Sequence, residues 1–149
     1  MRTILAGVAV MALAVLFVSQ IAPAQSVTVK SLKDQLQTGV FHSGELAQRG
    51  TAIAGTRTHL QHVINCLEGP NGANFAQAAG YPCQGQGRGV LVDLQAGVSA
   101  GIRGADKALR FATIAHTLAL QAIRMNEVNE AQPWAMVISR QLQIAFDSI

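Results

Sequence analysis

Aromatic side chains are scarce in this chain: five Phe, one Trp and one Tyr among 149 residues. A β-sandwich draws on aromatic and β-branched residues, so an Ala-, Gly- and Leu-rich body argues against one. Charge is also sparse, at 13% of residues against 50% apolar, which is the opposite of a disordered composition. Two cysteines are too few for a disulfide-dense scaffold. There is no dense basic stripe: the Lys and Arg residues are scattered from Lys30 to Arg140, so no nucleic-acid partner is expected. Enzyme signatures are missing too, among them a nucleophile elbow, a zinc-protease helix and a phosphate-cradling loop. Gly85-Gln86-Gly87-Arg88-Gly89 is Gly-rich, but no strand precedes it and the phosphate-binding Lys is absent. The eight acidic residues are dispersed, with no carboxylate pair set up for acid–base work. The expectation is a protein that is not an enzyme.

What is present begins with an export pattern. Arg2 supplies a positive start, Ile4 to Val18 is an apolar run of 15 residues, and Ala22-Pro23-Ala24 places small residues at a cleavage site. That order is the one a secretory signal needs, and the run is shorter than the roughly 20 residues of a membrane span. We expect residues 1–24 to be removed and residues 25–149 to form a single α-helical domain, periplasmic or secreted, with no membrane association after cleavage. Loss of Arg2 leaves a surplus of two positive charges.

No proline interrupts Val27 to Glu68. Leu32, Leu36, Gly39, Ser43, Leu46, Gly50, Ile53, Arg57, Leu60, Ile64 and Leu67 advance by alternating fours and threes, a heptad-like seam. This predicts a helix over about 28–68, with a break at Gly50-Thr51 as the rival. Residues 69–90 are too rich in Gly and Pro for a regular element. Val98, Ile102, Ala105, Leu109, Ala112, His116, Ala119 and Ile123 repeat the spacing and predict a helix over about 91–127. Pro133 can open a helix as its first residue, giving a short last helix over about 132–148. Its predicted apolar face runs through Trp134, Val137, Ile138, Leu142, Ala145 and Ile149. The predicted fold class is all-α: a long antiparallel helical hairpin closed by a Gly-rich loop, plus a short C-terminal helix, as a three-helix bundle or a dimeric four-helix bundle.

Cys66 ends the first predicted helix and Cys83 lies in the loop. In an oxidising compartment two such cysteines bond to each other. The bridge would close a loop of about 18 residues, worth roughly 3 kcal/mol in the chain-entropy picture. A second reading keeps the thiols free. His59, His62 and Cys66 share one helix face by their spacing of three and four, and Cys83 could complete a two-His, two-Cys set for zinc or copper. With the disulfide formed, His59 and His62 alone remain as a metal site.

His42 and His116 fall at the same level of an unbroken hairpin. An imidazole on an apolar seam needs a partner. The plain partner for His42 is Ser43, Glu45 or water; the sharper reading is a core cofactor site, in which His42 and His116 hold a metal or a b-type haem. Covalent haem is excluded, because no Cys-x-x-Cys-His is present.

The stretch from His59-Leu60-Gln61-His62 through Cys66-Leu67-Glu68-Gly69-Pro70, continued by Gly80-Tyr81-Pro82-Cys83-Gln84-Gly85-Gln86-Gly87, resembles a segment of exported bacterial α-helical proteins of no assigned activity. It covers about 30 of the 149 residues. The resemblance implies only that the His/Cys segment and its loop form a unit.

The functional expectation is a small exported helical protein that binds a transition metal such as zinc or copper through His residues. The alternatives are a structural or interaction module that forms homo-oligomers or docks a protein partner, and haem binding in the bundle core.

Overall fold

A computed structural model describes residues 26–149; the signal segment expected at 1–24 lies outside the described residues. The described residues are all-helical, with five α-helices. We number them α1 (Val29–Phe41), α2 (Ile53–Glu68), α3 (Val90–Ser99), α4 (Ala105–Ala122) and α5 (Val128–Ser148). None is long and apolar enough to cross a membrane.

Thr28 caps α1: its side chain accepts from the Ser31 N–H, and the Ser31 hydroxyl accepts from the Thr28 N–H. This reciprocal pair satisfies two donors that the first turn leaves open. Leu32, Leu36 and Gly39 then face the core. At His42 the helix widens to a π-helix that runs to Ala47. One extra residue per turn rotates the seam, so Ala47 is buried where Leu46 was expected. The single predicted helix over 28–68 therefore does not form. The chain bends around Gly50, the rival reading, and α2 starts from an extended Ala52. The bend is held from α5, where the Gln132 amide donates to the Gly50 carbonyl.

The predicted helix over 91–127 is also two helices. After Ser99 the chain closes with bonds from Gly101 N–H to the Val98 carbonyl and from Ile102 N–H to the Gly97 carbonyl. This paired closure needs a left-handed residue after the cap, and Gly101 supplies it at φ 72°. Gly104 then caps α4 at φ 82°, where a Cβ would collide with the Ser148 carbonyl at the end of α5. The start of α4 and the end of α5 thus touch, so the two run antiparallel.

Their interface agrees with the predicted seam of α4 at Ala105, Ala112 and Ala119 and differs from it elsewhere. Ala105, Ala108, Ala112, Ala115, Ala119 and Ala122 are the buried face of α4, and Ala131, Ala135, Ile138, Leu142 and Ala145 that of α5. Small side chains let the two backbones approach closely, while Leu109, His116 and Ile123 flank the contact half-buried. The last helix is not short. It has 21 residues, the most of any, and Pro133 is inside it rather than first. Trp134 is half-buried and Val137 exposed, so neither belongs to its buried face.

The loop between α2 and α3 is ordered by covalent and polar ties. Cys66 and Cys83 form a disulfide, with Cα atoms 5.3 Å apart. Buried Gln35 on α1 donates to Asp93 on α3 and accepts from the Gly89 N–H. Arg88 Nε donates to the same Asp93 carboxylate at 2.8 Å.

Candidate metal centre

The Gly50 bend folds α1 and its π extension back along α2. His42, the first π residue, thereby meets His59 and His62 on α2. The Nδ1 atom of His42 lies 3.4 Å from Nδ1 of His59 and 3.2 Å from Nδ1 of His62. One ring nitrogen from each of the three lies within 4.8 Å of the other two. The three residues are close enough to hold a metal ion. The rings pack edge-on or tilted, with centroids 4.7–5.5 Å apart, and Phe41 stands edge-on to His42 on the outside.

His62 has a second partner. Its Nε2 lies 2.6 Å from the Ala79 carbonyl. A carbonyl only accepts, so Nε2 carries a hydrogen, and this contact leaves Nδ1, which faces His42, as the nitrogen free to offer a lone pair to a metal. An outer partner of this kind is what fixes the tautomer of a metal-binding imidazole. Burial, then the neighbouring His62 and His59, push His42 down to about 4. Burial and His62 lower His59 in the same direction. Both rings are therefore neutral at pH 7, the form in which imidazole binds metal.

Of the residues singled out from sequence, His59 and His62 do share a site, and Cys66 and Cys83 are bridged. The free-thiol ligand set is thereby ruled out, since both cysteines of the chain are consumed. His42 and His116 do not meet. The unbroken hairpin that would have levelled them does not exist, so the expected pairing in the core is not formed. His116 instead donates from Nε2 to Glu68 at 2.6 Å. Glu68 also accepts from the Asn74 side chain and backbone. Burial raises this carboxyl, but the Asn74 and His116 hydrogen bonds outweigh it and hold it below the usual range. The pair lies in an open cleft of about 600 Å³ walled by Asn71, Arg88, Leu91 and Val92.

His42 was the missed member of the triad. It stands eight residues before Gly50, and His59 stands nine after. A hairpin pivoting on that glycine brings the two level, which is the signal the sequence carried.

No protein-family model, curated protein or solved structure matches the chain.

Proposed function

We propose that this is an exported, non-enzymatic helical protein that binds a transition-metal ion, zinc or copper, through His42, His59 and His62. The observation that carries the reading is the spacing of the ring nitrogens. Nitrogens bound at 2.0–2.1 Å to a tetrahedral zinc lie about 3.3–3.4 Å from each other. The two Nδ1 separations, 3.4 and 3.2 Å, bracket that edge. They also sit at or beyond the long end of the hydrogen-bond range of about 2.7–3.2 Å, so hydrogen bonding alone is a poor account of the cluster. Export is supported by the disulfide, which suits an oxidising compartment. Three protein ligands leave a fourth position for water or a small ligand. Imidazole donors suit both zinc and copper, so the metal is chosen by supply and geometry.

Isothermal titration of metal-free protein with zinc or copper should show one ion per chain. Replacing any one of His42, His59 or His62 by Ala should weaken binding by at least tenfold, whereas His116→Ala should leave it unchanged. Equal uptake by the triple variant and the wild type would overturn the reading.

A second reading, self-association, is favoured by an apolar strip on the outer faces of α4 and α5. Ile114 and Val137 are exposed on these helices, and Val137 helps line a cleft with Leu118, Pro133 and Trp134. The lining of this cleft carries no charge, so the same patch on a second copy covers it without burying an ion. Sedimentation velocity should show a dimer that Val137→Asp dissociates; a monomer at every concentration would remove this reading.

A further inference from the structure

The loop that fixes His62 has almost no core of its own. The single 3-10 turn Gln77–Ala79, which presents the Ala79 carbonyl to His62, contains no buried residue. Its position comes instead from α2, and from residues close to the histidines. Asn65, fully buried, donates to the carbonyls of Ala76 and Gly80 at 2.9 and 2.6 Å and accepts from the Ala76 N–H at 2.9 Å. Gln61 donates to the Asn74 carbonyl at 2.8 Å. The only covalent tie is the Cys66–Cys83 bond, whose α2 end is one turn beyond His62 and whose loop end is four residues beyond Ala79. The Gln61 anchor is exposed and the Asn65 anchors are part-buried, so water can compete for them; it cannot compete for the disulfide.

Resting on the metal-site reading, we propose that the Cys66–Cys83 disulfide is the clamp that makes the histidine triad competent to bind metal, and that Asn65 is its positioning residue. The bond holds the turn against α2, the turn holds the Ala79 carbonyl on Nε2 of His62, and that contact aims Nδ1 into the site. Without the bond the turn leaves α2, His62 loses its fixed tautomer, and the third ligand is no longer preorganised.

Both cysteines are fully buried in the folded protein. A dithiol reductant has no approach to either sulfur, so the bond acts as a lock set once and not as a reversible switch. Setting it takes thiol–disulfide exchange with an oxidised dithiol of the compartment. The two protein thiols give up two electrons and two protons, and the oxidant leaves as its dithiol. Metal loading is thereby deferred until the chain has reached an oxidising compartment.

The test compares the wild-type protein with the double variant Cys66→Ser, Cys83→Ser. Imidazole nitrogen NMR of the metal-free proteins reads the His62 tautomer, and zinc titration reads affinity. The wild type should show His62 with hydrogen on Nε2, and the variant a mixture of tautomers. Zinc affinity should fall roughly 10–100-fold, the usual effect of losing an outer partner of a metal ligand. Should the double variant unfold, Asn65→Asp keeps the disulfide, loses both donated bonds to the turn, and should shift tautomer and affinity in the same direction. An unchanged tautomer and unchanged affinity in a folded variant would overturn the clamp while leaving the metal site standing. Absence of zinc uptake by the wild type would overturn the metal reading and this inference with it.

Discussion

The chemistry of this protein is concentrated in a few imidazoles whose environments differ sharply. His116 has a carboxylate for a partner, whereas His42 has two other imidazoles and partial burial, which suppress its protonation. In the unfolded chain His42 takes a proton near 6.5, but in the folded protein only at about 4. Between those values the unfolded state binds more protons. Stability present above pH 6.5 is therefore lost as the pH falls towards 4. His59, lowered in the same direction, adds to the loss. With solvent screening at this half-buried site allowed for, the effect is on the order of 1–2 kcal/mol. Urea denaturation of metal-free protein at pH 7 and pH 4 should show the wild type losing more stability than His42→Asn over that interval. Bound metal should protect the site by occupying the positions that protons would take.

At the scale of elements, the alanine face of α4 sets how near α5 can come. Ala115 lies fully buried in the middle of that face. Ala115→Leu should lower stability by about 1–3 kcal/mol through overpacking, despite adding apolar area; thermal melting followed by circular dichroism checks it. The same interface shows why the seam of α4 was only partly read from sequence. The periodicity caught Ala105, Ala112 and Ala119, but alanine carries a weak hydrophobic signal, so it also took in Leu109, His116 and Ile123, which flank the contact, and passed over Ala108, Ala115 and Ala122. The helical class, the Gly69-Pro70 stop, the Gly-rich loop and the Cys66–Cys83 bond were legible, because each rests on a local chemical rule. The helix ends at Gly101 and Gly104 were open to the same kind of rule, yet an uninterrupted pattern of fours and threes masked them. The start of α5 was placed too late because proline was taken as a first helical residue. In the candidate site, the pair on one helix could be read from spacing. The third histidine follows only once the Gly50 break is chosen over the unbroken helix, because the turn at that glycine is what brings His42 level with His59.

For the molecule as a whole, the disulfide is the covalent tie of the loop, joining residues 17 apart in sequence. Its removal in the Cys66→Ser, Cys83→Ser variant should cost about 3 kcal/mol by chain entropy, read as a lower denaturant midpoint for the metal-free protein. A midpoint equal to that of the wild type would mean that the polar ties at Gln35, Asn65 and Glu68 suffice to order the loop. Those ties reach three different helices, α1, α2 and α4, so the loop joins parts of the bundle that the sequence keeps far apart.

The π-helix at His42–Ala47 has a consequence for how such a site can be gained or lost. A π-turn is an α-helix carrying one surplus residue. Deleting a single residue between Ser43 and Ala47 would let the segment relax to α geometry with its flanks still in register, whereas deleting Leu60 or Gln61 from the regular turns of α2 would rotate His59 by about 100° relative to His62. In the second case His59 would swing off the triad while every ligand remained in the chain. Binding here depends on a residue count as much as on residue identity, and a one-codon length change is enough to erase it.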